Sequence, residues 1–285
     1  MGNGKVYKMA RYNLKRVDYG EFVQYRIYDR PICKNEEQKE NKEQKQEVEK
    51  NDKTDKKDNK DTGQTNNNRS EQVSINRSIQ TVYKYAQANT WQYFVTLTFK
   101  RDGKVNVYDY ADCVKKLTVW LNNQRKKCTD FKYLFVPEMH KDGAFHFHGL
   151  IANCDGLTFS DSGRVAIGNK AYKRTQENQY FPTIYNMENW KYGWSTATAV
   201  VSSCKSASYI CKYITKDLIQ GIGKRRRFYP SNNLDLPEES EHFFDMDSLD
   251  ALIESFGDAL DYSKTQDIPE AHQRIRYYTV MQNEQ

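Results

Sequence analysis

The sequence predicts an α+β protein, and three patterns support this. Tyr93–Phe99 is a run of β-branched and aromatic residues that is typical of a buried strand. Two further strand patterns, at 132–138 and 144–151, are separated by a short turn containing Asp142-Gly143, which predicts an antiparallel hairpin. Apolar residues recur at helical spacing through 108–128. With 38% apolar and 13% aromatic residues, the chain can bury one sizeable core.

The N-terminal part predicts two different structures. Residues 5–32 alternate apolar and polar side chains in two runs around Asp18-Tyr-Gly20, which predicts a hairpin. We expect this region, 1–33, to add edge strands to the main sheet or to form a small accessory module. Residues 34–70 contain one apolar residue, Val48, and cannot offset the entropy of ordering. We therefore predict a disordered charged insertion over 34–75.

The remaining elements divide into a main domain, 76–232, and an acidic C-terminal region, 233–285. We predict helices over 74–92 and 206–218 and a strand over 196–201, with irregular structure through most of 155–195. The C-terminal region is predicted to be partly helical, since 235–261 contains a short amphipathic pattern. We expect this helix to dock on the folded part of the chain or to recruit a partner, and docking is the favoured alternative.

Composition excludes several classes of protein and favours an anionic partner. No stretch approaches the ~18 apolar residues of a membrane span, and the start matches no signal peptide, so we expect a cytoplasmic protein without membrane contact. The six cysteines form no C-x-x-C pair, which argues against a disulfide framework or a cysteine zinc site. Segments 34–70 and 235–261 contribute zero and −10 to the total of +6, so the rest carries +16 and suits phosphates.

A histidine pair and a glutamate form a candidate metal site. His146 and His148 point to one face of their strand, because side chains alternate along it. A three-residue loop ending in a left-handed Gly143 would place Glu138 opposite His146, whereas a two-residue loop would send its carboxylate to the other face. Two imidazoles and a carboxylate suit a divalent ion such as Mg²⁺ or Mn²⁺. His140 is a competing ligand, ranked below Glu138 because it lies at the turn.

The predicted helix over 206–218 carries the pattern Y-x-x-K twice, as Tyr209 with Lys212 and Tyr213 with Lys216. At ~100° per residue these four side chains share one stripe, apart from an apolar stripe that can pack on the sheet. A tyrosine hydroxyl with a pKa near ~10 becomes a useful nucleophile when a cation polarises the group that it attacks. The metal site predicted at the histidine pair would hold such a cation.

Phe94–Phe99, then Glu138 with His146-Phe-His148, then Tyr209-Ile-Cys-Lys-Tyr213 resemble the three motifs of the HUH endonucleases, and more closely the rolling-circle replication initiators of small phages and plasmids. The resemblance covers roughly 90–230. It implies a central antiparallel sheet flanked by helices, with a ferredoxin-like core. It also implies a nuclease of single-stranded origin DNA, in which Glu138, His146 and His148 bind the cation.

The same resemblance implies that Tyr209 attacks the scissile phosphate, leaving a 5′-phosphotyrosine and a free 3′-hydroxyl, while Lys212 orients the phosphate. Members with one and with two catalytic tyrosines exist, so Tyr213 either shares the chemistry or only contacts DNA; Tyr209 is preferred. Phosphate contacts are assigned to a set of cations: Lys216, Lys224, Arg225, Arg226 and Arg227. Tyrosines and tryptophans around 180–194 can stack on bases.

The sequence leaves other functions open. A mobilisation relaxase or a transposase would use the same chemistry, and a non-catalytic origin-binding protein could keep the fold. No G-x-x-x-x-G-K-[ST] phosphate loop occurs in the chain, so we expect unwinding and synthesis to depend on a helicase and a polymerase of the host or element, in a bacterial cytoplasm.

Overall fold

The computed structural model describes residues 9–35, 64–168, 170–223 and 225–282. It confirms the α+β class: two antiparallel sheets are accompanied by helices. The chain forms two compact units, of which the first joins 1–62 with 237–285 and the second is Gly63–Leu236. Each unit has its own sheet.

The unit Gly63–Leu236 is built on an eight-stranded sheet with the order β10-β4-β5-β3-β9-β8-β6-β7. Its strands are β3 Tyr93–Phe99, β4 Lys132–Met139, β5 Phe145–Ala152, β6 Phe159–Ile167, β7 Lys170–Lys173, β8 Thr183–Met187, β9 Gly193–Ala199 and β10 Tyr229–Pro230. Its helices are α1 Gln64–Gln87, α2 Tyr110–Lys127, α3 Ser203–Cys211 and α4 Lys216–Ile222.

The two faces of this sheet carry different layers. On one face α2 packs Leu117 and Trp120 against Phe147 and its neighbours, forming the larger core. On the other face α1 and α3 pack Val82 and Ile210 on strands β4 and β5, forming a second core. This division follows from strand alternation: in β3, Val95, Leu97 and Phe99 are buried, whereas the residues between them are half-exposed. The helices therefore leave part of this second face, along β3, open to solvent.

Three predictions for this unit were wrong. The helix predicted over 74–92 has other bounds: α1 runs from Gln64 to Gln87, because a helix anchored by its buried residues extends through polar residues at one hydrogen bond each. Residues 36–63 lie outside the described ranges. The segment 155–195 is not irregular: it contains β6, β7 and β8. The alternation of β6 is interrupted by a bulge between Asp161 and Arg164, with Gly163 at φ 68°, and all four residues of β7 are exposed.

The third wrong prediction is the single helix over 206–218. The chain forms two helices, α3 and α4, separated by residues 212–215. Thr215 caps the N-terminus of the second helix, since its hydroxyl accepts a hydrogen bond from the backbone N–H of Leu218 at 3.1 Å. The segment Tyr209–Tyr213 therefore extends past the C-terminal end of α3, which is Cys211.

The other unit has a five-stranded sheet with the order β11-β1-β2-β13-β12. Its described strands are β1 Met9–Asp18, β2 Phe22–Asn35, β11 Glu238–His242, β12 Leu260–Ile268 and β13 Gln273–Met281, and its described residues also form the α-helix α5 Met246–Glu254. The predicted N-terminal hairpin is present as β1 and β2, with Gly20 at φ 87°, and it belongs to this accessory sheet rather than to the main one. Strands β11, β12 and β13 of the C-terminal region were not predicted from the sequence.

The amphipathic helix expected within 235–261 is present as α5. Its Leu249 is buried against Leu14 of β1 and Ile27 of β2, so it covers the accessory sheet that its own unit forms. No helix in the described parts of the chain combines the length and apolar character that a membrane crossing requires.

Candidate active site

The hairpin β4–β5 has the register that places Glu138 opposite His146. The loop contains three residues, 141–143, and Gly143 adopts φ 86°, a conformation that favours glycine. The hairpin is closed by hydrogen bonds from the N–H of Gly143 to the carbonyl of His140 (2.8 Å) and from the N–H of His140 to the carbonyl of Ala144 (2.9 Å). The predicted loop length and register are therefore confirmed.

Cross-strand pairing then extends the site over neighbouring strands. One row across the sheet contains Glu138, His146, Thr98 and Trp194, each opposite the next. Residues that face each other in an antiparallel pair lie on the same side of the sheet. All four side chains are therefore on the face that α1 and α3 partly cover.

The second row contains His148, Thr96 and Thr196, in that order across β5, β3 and β9. Thr96 and Thr98 each contact a ring nitrogen of the opposite histidine: Oγ1 of Thr96 is 3.1 Å from Nδ1 of His148, and Oγ1 of Thr98 is 3.1 Å from Nδ1 of His146. These contacts fix the ring orientations and leave Nε2 as the outward nitrogen of each imidazole. No role was assigned to either threonine from the sequence.

Glu138 is held by the second histidine. Its Oε2 atom is 2.6 Å from Nε2 of His148, and this hydrogen bond lowers the pKa of the Glu138 carboxyl against the opposing effect of partial burial. Burial lowers the pKa of His146, because the imidazolium form loses hydration. Among the described residues, no three His, Cys, Asp or Glu side chains are grouped closely enough to hold a metal ion as they stand.

His140 is directed elsewhere. Its Nδ1 atom is 3.2 Å from Oδ1 of Asp142 in the turn, and its side chain is exposed. Asp142 in turn pairs with Arg101. His140 thus has a local partner of its own, although its ring centre is 5.5 Å from that of His146.

Helix α3 brings the first tyrosine to the site. Ala207 and Ile210 are fully buried in the core beneath the helix and fix its orientation. Tyr209 then packs edge-on against Phe94 of β3, with ring centres 5.1 Å apart. Lys212 follows at the helix end, with Nζ 5.2 Å from the centre of the Tyr209 ring. Tyr209 and Lys212 are therefore neighbours, as the Y-x-x-K spacing predicts.

Tyr213 lies over His148. Its ring is stacked on that of His148, with centres 3.6 Å apart and planes 10° from parallel. Its ring centre is 5.6 Å from that of Tyr209. Burial, together with the neighbouring Tyr209 side chain, raises the pKa of Tyr213 well above its usual range. Both tyrosines consequently stand on the face of Glu138, His146 and His148.

The cations beyond Lys212 are not gathered at this face. Lys216 begins α4 and is exposed, and Lys224 lies outside the described ranges. Arg225 lies over the Tyr110 ring and Arg226 over the Tyr229 ring; both rings belong to the core on the α2 side. Arg227 donates hydrogen bonds to two serine hydroxyls of α1, Ser74 at 2.9 Å and Ser78 at 3.2 Å. These bonds link the segment that precedes β10 to helix α1.

Two depressions adjoin the histidine pair. A groove of about 550 Å³ adjoins Tyr209 and Thr96, and it includes two lysines, Lys170 and Lys205. A second depression, of about 440 Å³, adjoins His146 on its other side. It is lined by Thr98, Phe99, Lys100, Arg101, Val107, Ala144, Phe145, His146 and Trp194. An extended ligand could thus pass from one depression to the other across the site.

A family model described as replication-associated protein ORF2/G2P matches residues 92–218. The match begins just before β3 and ends within α4, so it includes the threonines, the hairpin and both tyrosines. It supports a role in replication initiation. No curated protein and no solved structure matches the chain.

Proposed function

We propose that the chain is a rolling-circle replication initiator of the HUH type, which nicks single-stranded origin DNA through a covalent tyrosine intermediate. The observation that carries this proposal is the stacking of Tyr213 on His148, with the ring of Tyr209 edge-on to that of Tyr213 at 5.6 Å. This arrangement puts two candidate nucleophiles beside an imidazole pair and a carboxylate. The match to a replication-associated family supports the same function.

The donor set suits Mg²⁺ or Mn²⁺. His146 and His148 have their Nδ1 atoms bonded to threonines, which is the arrangement that presents Nε2 to a cation, and Glu138 supplies a carboxylate on the same face. Glu138 would exchange its present hydrogen bond with His148 for the cation. Once bound, the cation would polarise the scissile phosphate.

Tyr209 is the preferred nucleophile. Its oxygen forms a new bond to phosphorus as it loses its proton, and the bond from phosphorus to the 3′-oxygen breaks, leaving a 3′-hydroxyl and a 5′-phosphotyrosine. Lys212, close to the Tyr209 ring, neutralises the phosphate. Tyr213 either acts as a second nucleophile for rejoining or holds Tyr209 and the DNA in place. Lys216, Lys224 and Arg225 to Arg227 were assigned to phosphates from sequence; of these, Arg227 is engaged with α1.

Two alternatives use the same features. A mobilisation relaxase or transposase would share the chemistry and differ in the DNA that it recognises. A non-catalytic origin-binding protein would bind the same strand without forming a covalent bond. The replication-associated family match favours the initiator, which would work with a helicase and a polymerase of the host or element.

The test is the capture of a covalent adduct. The chain is incubated with Mn²⁺ and a labelled single-stranded DNA library of random sequence, and adducts that survive denaturing electrophoresis are isolated and sequenced. Wild type should yield one recurrent cleavage sequence. Tyr209→Phe should abolish the adduct, whereas Tyr180→Phe, at an exposed tyrosine of a connecting segment, should leave it unchanged.

The outcomes separate the candidates. An adduct that persists in Tyr209→Phe and disappears in Tyr213→Phe would move the nucleophile to Tyr213. Binding without any adduct would favour the non-catalytic protein and would overturn the enzyme. The sequence that is recovered, an origin or the end of a mobile element, would distinguish the initiator from the relaxase or transposase.

A further inference from the structure

The depression beside His146 has an unusual wall. Trp194 of β9 is 63% exposed, whereas the other three tryptophans of the chain, Trp91, Trp120 and Trp190, are at most 4% exposed. All four lie in the described part of the chain. Trp194 is also the last member of the row that starts at Glu138 and His146. A large aromatic face is thus presented to solvent inside the candidate site.

The position of Trp194 follows from the sheet. The neighbouring residues of β9, Ser195 and Ala197, point into the opposite core, so alternation forces Trp194 and Thr196 outward. Trp194 faces Thr98 and is two strands away from His146, about 10 Å at the usual strand spacing. That distance brings the indole close to any phosphate held at the histidine pair.

The surroundings of Trp194 are cationic and polar. Lys100 and Arg101 line the same depression, together with Thr98. Arg101 is paired with Asp142, whereas the exposed Lys100 adds a positive charge at the rim. An aromatic face beside a lysine is the combination by which proteins bind single strands, with bases stacked on the ring and phosphates at the cation. A base inside a duplex would not have its face free.

We infer that Trp194 stacks on an unpaired nucleobase close to the scissile phosphate, in a subsite that Lys100 completes by contacting a phosphate. This inference rests on the proposed function and adds the subsite to it. Stacking accepts every base, so the subsite contributes affinity and register rather than a sequence code.

The experiment compares two ligands of equal length and charge in EDTA: a 15-nucleotide oligothymidylate and a 15-unit abasic deoxyribose phosphate. Because Trp194 is the exposed tryptophan, its emission should be quenched by the oligothymidylate and unaffected by the abasic strand. Trp194→Ala should weaken binding of the oligothymidylate by about 5- to 100-fold and change binding of the abasic strand less than about twofold. Trp194→Phe should retain most of the affinity.

The matched control is Tyr262→Ala, which removes another exposed aromatic ring, 51% accessible, from strand β12 and not from the depression. It should bind both strands as wild type does, and an unchanged melting temperature will confirm that each variant is folded. Equal loss of both strands in Trp194→Ala, or the absence of quenching, would overturn the inference. If the covalent adduct forms but Trp194→Ala binds the oligothymidylate as wild type does, the subsite is wrong and the proposed function stands. If the oligothymidylate quenches Trp194 but no adduct forms, the proposed function is wrong and the subsite stands.

Discussion

The threonines opposite the histidines offer the sharpest prediction. Thr96→Val and Thr98→Val each keep the shape and the β-branching of the side chain while removing one hydroxyl. Each loses a contact of 3.1 Å to a histidine Nδ1. A hydroxyl can donate to Nδ1 when Nε2 carries the proton, and it can accept from Nδ1–H when Nε2 binds a cation. Valine can do neither.

The two substitutions should differ in size. His148 is 6% exposed, so water cannot replace the lost partner, and an unsatisfied buried group costs about 1–3 kcal/mol. His146 is less buried than His148, and we expect Thr98→Val to cost about 1 kcal/mol. Partners that orient a ligating histidine are typically worth about 10- to 100-fold in metal affinity. We therefore expect Mn²⁺ affinity to fall within that range, with the larger loss in Thr96→Val.

The assay measures free Mn²⁺ by electron paramagnetic resonance while the protein is titrated, and urea denaturation supplies the free energy of unfolding. Nitrogen-15 shifts of the histidine rings report the tautomers directly, without any reaction. Thr96→Ser restores the hydroxyl and should recover the affinity. The matched control is Thr198→Val. Thr198 lies on the same face of β9 as Thr196 but is not opposite a histidine, so this variant should bind Mn²⁺ as wild type does.

Equal Mn²⁺ affinity in wild type and in both valine variants would refute the reasoning. So would a serine variant that binds no better than the valine variant, because the effect would then come from packing rather than from the hydroxyl. Ring shifts that stay unchanged in Thr96→Val would show that the hydroxyl does not set the tautomer of His148.

Three further outcomes follow from the contacts around the site. Gly143→Ala should lower the free energy of unfolding by about 1–2 kcal/mol in urea denaturation, because φ at this turn is 86°; an unchanged midpoint would contradict the strained turn. The hydrogen bond from Arg101 lowers the pKa of Asp142 to about 2, so its contribution to stability is present above the unfolded value near ~3.9 and is lost as the pH falls toward 2. Arg101→Gln should raise this pKa in a carboxyl NMR titration, and a value still near 2 would count against the pairing. Arg227→Ala should destabilise the protein by about 1–2 kcal/mol and leave the salt dependence of DNA binding unchanged, whereas Lys212→Ala, at the site, should reduce the slope of that dependence by about one. A reduced slope in Arg227→Ala would show that Arg227 contacts a phosphate.

Local chemistry was sufficient for the hairpin at the centre of the site. The register of Glu138 against His146 depends on a loop of three residues and on a glycine that tolerates positive φ, and both are visible in Lys141-Asp142-Gly143. The α+β class and the N-terminal hairpin followed from alternation in the same way. Strands β6 and β7 did not, because a bulge at 161–164 interrupts the alternation of β6 and every residue of β7 is exposed.

Tertiary structure alone decided which residues surround the hairpin. Thr96 and Trp194 are 98 residues apart in the chain, and they reach the histidines only because β3 and β9 pair next to β5 in a particular register. Likewise, the break at 212–215 sets where Tyr213 lies, and the anchoring of Ile210 in the core sets where Tyr209 lies. The sequence by itself determined the donor groups and their local spacing, since these depend on turn and strand geometry. Their neighbours depend on long-range pairing, which no local pattern encodes.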